Sequence, residues 1–202
     1  MQQNLVEEVV VLPRAELCIL RPRDSEDLLD ETAFEHEEFL PYWAELWPSG
    51  VALARAVAAR ALRGARTLEL GCGLALPSMA AALAGGRVTA SDWSPGAIEL
   101  AEHNAARCGV AIEPLVCDWS RPDDLVERAP WDLVLAADVL YERRNADVLL
   151  ALLPRLVGRR GEILLADPGR PPAEAFLEAA ARHFAVRTTE HGRVSIHRLR
   201  RR

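Results

Sequence analysis

Lysine is absent from this sequence: all 24 basic residues are arginine, set against 30 acids for a formal net charge of −6. A chain without lysine cannot modify its own lysine side chains, and its acidity disfavours a non-specific nucleic-acid surface. Aromatic residues are scarce, at 5%. No apolar run approaches the ~20 residues needed to span a bilayer. The opening Met1-Gln-Gln-Asn leads into acidic Glu7-Glu8 rather than the apolar core of a leader, so a soluble, cytoplasmic protein with no membrane partner is expected. Cys18, Cys72, Cys108 and Cys117 form no Cys-x-x-Cys pair and sit in apolar sequence. They read as reduced core thiols, with neither zinc nor disulfides supported and no metal site expected. No repeat, low-complexity stretch or internal linker divides the 202 residues, half of them hydrophobic, which suffice for one domain.

What is present is organised around Leu68-Glu69-Leu70-Gly71-Cys72-Gly73-Leu74-Ala75-Leu76-Pro77. It reads as a buried strand, Thr67 to Leu70, entering a glycine turn and then an alanine-rich helix from Pro77 to Leu83. Glycine at 71 and 73 permits positive φ and close approach to a ligand. The helix N-terminus beyond offers unpaired N–H groups. A dinucleotide fold requires a third glycine where Leu76 stands. Glu69, ahead of the turn, repels a pyrophosphate and attracts a cation. S-adenosylmethionine, with a sulfonium, an α-amino group and no phosphate, fits. Asp92 follows Gly73 by nineteen residues, ending a strand at 87–90. It reads as the acceptor for two ribose hydroxyls, with Trp93 beside it. It also suits a helix cap before Ser94-Pro95, and one residue can do both.

Ahead of this core, residues 5–12 and 16–21 are β-prone runs broken by Pro13-Arg14, which predicts a hairpin outside the main sheet. Asp24 to Glu38 holds eight acids and no arginine. It reads as a solvated face or, alternatively, as an acidic rim that steers a cationic substrate. Pro41-Tyr-Trp-Ala-Glu-Leu-Trp-Pro-Ser-Gly50 is aromatic-rich and precedes a helix from Val51 to Leu62. Trp43 and Trp47 are either core residues at a sheet edge or a stacking lid.

From Thr67 onward strand and helix alternate, predicting an α/β, Rossmann-like, doubly wound sheet. Strands are expected at 112–116, 131–136 and 162–166, and helices at 95–108, 143–157 and 173–184. Strands at 185–189 and 194–199, joined only by Glu190-His191-Gly192, form an antiparallel pair, since so short a link cannot cross over. The expected domain is a single unit of seven strands, the last antiparallel, with a catalytic core at 41–202 and an extension at 1–40.

Ligands of such sheets bind at the carboxyl ends of the strands. Five successive ends carry acids: Glu69, Asp92, Asp118, Asp138 and Asp167. Asp118-Trp119 is placed to meet an adenine, the carboxylate taking the exocyclic amine. Asp138 and Tyr141 follow the fourth parallel strand, at the switch point where a reactive sulfonium belongs. Tyr141 has core packing at a helix start as its alternative.

With Trp47-Pro48 ahead of the glycine turn and Asp138-Val-Leu-Tyr141 after the fourth strand, the chain resembles class I, seven-β-strand S-adenosylmethionine-dependent methyltransferases over nearly its whole length. Within them it is similar to the methyltransferase-like protein-lysine methyltransferases. The Ala166-Asp-Pro-Gly-Arg-Pro171 run is similar to the branch acting on the electron transfer flavoprotein β subunit. The resemblance implies Trp47, Gly71, Cys72, Gly73, Asp92, Trp119 and Ala137 at the cofactor, and Asp138 with Tyr141 at a lysine acceptor. Ala75 departs from it, standing where many members have glycine, and is accommodated by negative φ. Competing readings are a small-molecule N-methyltransferase and a non-catalytic cofactor-binding protein. RNA methylation ranks last, since the chain is acidic and the element after the fourth strand lacks prolines.

Overall fold

Period-two burial splits the strands between two cores. The computed structural model describes residues 4–28 and 41–202, so most of the acidic 24–38 segment lies outside the described residues. Its chain order is β1 (Leu5–Val11), β2 (Glu16–Pro22), α1 (Pro48–Ala58), β3 (Arg66–Leu70), α2 (Leu76–Leu83), β4 (Arg87–Asp92), α3 (Pro95–Arg107), β5 (Glu113–Val116), α4 (Asp123–Glu127), β6 (Trp131–Ala137), α5 (Arg143–Leu156), β7 (Val157–Asp167), α6 (Pro171–Ala180), β8 (Phe184–His191) and β9 (Val194–Arg201). Strands β3 to β9 form one sheet in the order β5-β4-β3-β6-β7-β9-β8. Five strands are parallel, and β9 runs antiparallel to both β7 and β8.

On one face Leu68, Leu70, Val134, Ala136, Ile163 and Leu165 meet Leu149, Leu152, Leu153 and Leu156 of α5 and Phe176 of α6. The other face carries Leu133, Leu135 and Leu164, covered by Leu53 and Val57 of α1, Met79 of α2 and Leu100 of α3. Burial on both faces is what parallel strands require.

Helix starts are set by proline. The helices α1, α2, α3 and α6 all have it in their first two positions, where the missing N–H would go unpaired anyway. Helix α1 consequently begins at Pro48 and α6 at Pro171, two to three residues before the periodicity of apolar positions alone suggests.

The hairpin β1–β2 stands outside the main sheet, as expected, and buries Val10, Leu17 and Ile19 against it. Asn104 of α3 fastens it. Its side-chain oxygen accepts from the Leu20 N–H at 2.8 Å, and its amide donates to the Leu20 carbonyl at 2.9 Å, completing β2 as another strand would. Asn104 has no solvent exposure, so Asn104→Ala leaves the part-buried Leu20 N–H and carbonyl unmet. A loss of about 2–4 kcal/mol is expected, read as a fall in urea midpoint without a change in slope. Cys18 departs from expectation: it is exposed on the outward side of β2, and Cys108 is only half-buried, whereas Cys72 and Cys117 are core thiols.

At the far end of the sheet Glu162 of β7 is almost fully buried and receives Arg60, Arg198 at 2.5 Å and Arg200 at 2.9 Å. Burial alone would raise its pKa, but the three guanidiniums outweigh it and hold the carboxyl down at about 2. Because the folded value lies below the unfolded one, its stabilisation is complete above roughly pH 4.3 and drains away as pH falls toward about 2. Glu162→Gln should therefore flatten the acid limb of a stability-versus-pH curve measured by urea denaturation.

Candidate active site

The sheet order reverses between β3 and β6. A cleft of about 820 Å³ opens at the carboxyl ends around this switch point. Trp47, Glu69, Gly71, Cys72, Gly73, Asp92, Trp93, Asp118, Trp119, Ala137, Asp138 and Tyr141 all line it. These twelve residues are thus brought to one cavity, and of the five strand-end acids only Asp167 is missing from its lining.

The glycine turn is shaped by the protein's own packing. Gly71 has φ +66, and a Cβ there would lie 3.2 Å from the Trp119 ring and 3.3 Å from Val139. Gly73 has φ +48, and its Cβ would lie 2.8 Å from the Trp43 carbonyl oxygen. On the side where a Cβ would project, these glycines are covered by Trp119 and by the 42–44 turn, while both still line the cleft. Ala75 also differs from expectation, with φ +59 where a negative value was foreseen. It is fully buried at the start of α2, so surrounding packing holds a conformation that costs an L-residue about 1–2 kcal/mol.

The acids divide by environment. Glu69 is 1% exposed and accepts the Ser78 N–H of α2 at 2.8 Å. Burial pushes its pKa up to about 8, against the lowering effect of that hydrogen bond. It is thus a neutral acid that a cation would ionise, rather than a standing charge. Asp92 ends β4 and ties the turn together, one oxygen accepting from Gly73 N at 3.0 Å and the other from Ser94 N at 3.0 Å. Its pKa is likewise raised by burial. The cap of α3 is Ser94, not Asp92. Asp118 is half-exposed, and the Ser120 N–H at 2.8 Å holds its carboxyl below the usual range. Burial, with Asp92 and Glu69 nearby, raises the Cys72 thiol well above its ordinary value, so it is no nucleophile.

Asp138 stands just past β6 with φ +58, a conformation aspartate tolerates. Its N–H donates to the Ala166 carbonyl at the end of β7. Arg170 donates to its Oδ1 at 2.8 Å, and its Oδ2 is buried without a protein partner among the described residues. Asp167 does not reach the cleft: it is fully buried, with Oδ1 accepting from Gly169 N and Arg170 N, both at 2.7 Å. Four of the five strand-end acids line the cavity, and the fifth builds the loop that delivers Arg170.

Aromatic rings form the rim. Tyr141 lies 5.8 Å from Tyr42, which lies 6.4 Å from Trp47, and the Trp47 indole donates to the Tyr42 carbonyl at 2.7 Å. Arg170 covers the Trp47 ring at 5.6 Å. Tyr141, 40% exposed, shares a side-chain hydrogen bond with Asn145, and burial raises its pKa. Both tryptophans line the cleft, and Trp43 does so while also packing against the core, so the two alternatives meet in that residue. Sequence reasoning missed Tyr42, Asn145 and Arg170. The signal for Arg170 was in the Asp167-Pro-Gly-Arg170 run, whose aspartate turn folds the arginine back over the strand ends.

Sheet order, switch-point cleft and glycine turn together define a Rossmann-like methyltransferase fold. The T. thermophilus 16S rRNA N2 G1207 methyltransferase superposes with TM-score 0.74 at 14% identity, covering 98% of this chain and 51% of that one. The ribosomal protein L11 methylase of Lactobacillus delbrueckii subsp. bulgaricus gives 0.59 at 25%, covering 74% and 77%. The chain belongs to the lysine methyltransferase family, whose model matches residues 35–183. It is similar to the electron transfer flavoprotein β subunit lysine methyltransferases of Xenopus laevis (36% identity, 64% of this chain and 53% of that) and Homo sapiens (31%, 79% and 60%). It also matches the mouse EEF1A lysine methyltransferase 3 (34%, 69% and 63%). The chain spans roughly half to three-fifths of these relatives.

Proposed function

We propose that this protein transfers a methyl group from S-adenosylmethionine to a lysine amine of another protein. The carrying observation is the cleft itself: Asp138, almost buried, sits at the switch point of a family fold whose glycine turn has the carboxyl groups of Glu69 and Asp92 against it, the Gly73 N–H donating to Asp92. That donor set suits a sulfonium nucleoside and opposes a pyrophosphate. Asp92 and the Gly71–Gly73 backbone would hold the nucleoside side, Asp118 with Trp119 the base, and Trp47 and Ala137 the approach to the methyl.

When bound, the cofactor supplies an electrophilic methyl carbon. The chain's own contribution is alignment of the amine opposite the leaving sulfur, an effect worth up to roughly 7–11 kcal/mol in well-oriented systems. Asp138 binds the ammonium and orients it. A lysine acceptor, with a pKa of about 10.4, must lose a proton before attack, and Asp138 is the group placed to receive or relay it. Tyr141 shapes the channel for the alkyl chain. Four free cysteines suit a reducing compartment such as the cytoplasm.

Two measurements test this. Calorimetry should detect S-adenosylmethionine binding with proton release below about pH 8, because the incoming cation ionises Glu69. The affinity should rise with pH up to that value, and Glu69→Gln should abolish both effects. Incubation with labelled cofactor and electron transfer flavoprotein β subunit should then label protein lysine. Label confined to small metabolites would replace the protein substrate with a small amine, and no heat with the cofactor would end the reading.

A further inference from the structure

Among the described residues, five buried side-chain polar atoms have no hydrogen-bond partner. Three belong to one network: Asp138 Oδ2, Asp167 Oδ2 and Arg170 Nε. Buried polar atoms are rarely left unmet, so three orphans on neighbouring groups point to an arrangement that is completed in another state. One guanidinium serves two carboxylates here and fully satisfies neither. It bonds Asp138 Oδ1 at 2.8 Å, while its Nε stops 3.9 Å from Asp167 Oδ2, beyond hydrogen-bond range. Arginine and carboxylate favour a two-pronged fit, and that fit with Asp167 is half-made.

The surroundings allow it to be finished. Asp167 is fully buried and fixed, its Oδ1 held by the backbone of Gly169 and Arg170. The Arg170 side chain is 27% exposed, lies along the face of Trp47 and lines the cleft. Its anchor is thus next to Asp167, while its tip reaches across to Asp138. Charge supports the same movement. Two carboxylates and one guanidinium carry a net −1, and one further cation brings the group to neutrality.

We propose that Arg170 is a resident cation that holds Asp138 until the acceptor's ammonium replaces it, whereupon the guanidinium withdraws onto Asp167. This rests on the reading of the cleft as a lysine methyl-transfer site and adds how that site selects its substrate. A neutral or anionic acceptor has no charge with which to displace Arg170, so it is refused. A slender cationic chain both displaces the guanidinium and completes the network.

The test uses opposed variants at saturating cofactor, with electron transfer flavoprotein β subunit as acceptor. Arg170→Met removes the charge and keeps apolar bulk over Trp47, so the acceptor KM should fall about tenfold. Asp167→Asn keeps the Oδ1 turn but removes the place of withdrawal, so KM should rise about tenfold. Both moving upward together would reduce the network to a structural brace and overturn the proposal. A second readout needs no turnover. With S-adenosylhomocysteine present, n-butylammonium chloride should shift the Arg170 ¹⁵Nε signal, assigned by its loss in Arg170→Met, whereas n-butanol should not. A signal unmoved by the ammonium overturns the displacement even where no protein acceptor is labelled. A shifted signal with no labelled lysine keeps the displacement and rejects the protein-lysine reading alone.

Discussion

Asp138→Asn is expected to lower kcat by about two to four orders of magnitude, the range for loss of a positioned acid–base group. The dissociation constant for S-adenosylmethionine should stay within about threefold, the pattern for an interaction made chiefly in the transition state. Asparagine keeps the shape, tolerates φ +58, and can still accept from Arg170 through its side-chain oxygen. What it removes is the negative charge that draws in an ammonium and takes up its proton. The comparison therefore isolates charge from fold. Single-turnover methyl transfer with excess enzyme gives the chemical rate, and calorimetry gives the cofactor affinity. An unchanged chemical rate would take Asp138 out of the reaction.

The second large effect is structural. Gly73→Ala places a Cβ 2.8 Å from the Trp43 carbonyl oxygen at a residue with φ +48. Backbone cannot move aside as a flexible side chain can, so the 42–44 turn must lift from the glycine loop or the loop must deform. The left-handed conformation alone costs about 1–2 kcal/mol, and the contact adds to it. A fall in Tm of about 8 °C is expected for a chain of this size, with a cofactor affinity at least ~10-fold weaker. Gly109→Ala is the control, since its φ is +65 and nothing lies within 4 Å of the new carbon. It should lower Tm by only about 3 °C. Equal shifts for the two would mean that the Trp43 contact is relieved without cost.

Much of this is legible in the amino-acid order alone. The alternation of apolar runs with helical periodicity gave the doubly wound sheet, and the short link at 190–192 gave the antiparallel pair. Acids at strand ends pointed to the cleft because the carboxyl ends of parallel strands share one rim, and four of the five line it. What escaped notice depended on tertiary packing. Ala75 in a left-handed conformation contradicts local preference and is imposed by burial around it. Gly71 and Gly73 do take the positive φ that the turn suggests, but the neighbours excluding a side chain are Trp119 and Trp43, distant in sequence. The inward turn of Asp167, away from the cleft, follows from its two loop N–H partners rather than from its place at a strand end. The exposure of Cys18 follows from the hairpin's open outer face, which an apolar run cannot foretell.

Trp43, Trp47, Trp93 and Trp119 all border the cleft, and Trp131 is buried elsewhere. Four of the five indoles thus surround the place where a ligand must settle. The protein carries its own optical reporter: occupancy should change intrinsic tryptophan emission, so titrations can be followed without attaching a dye.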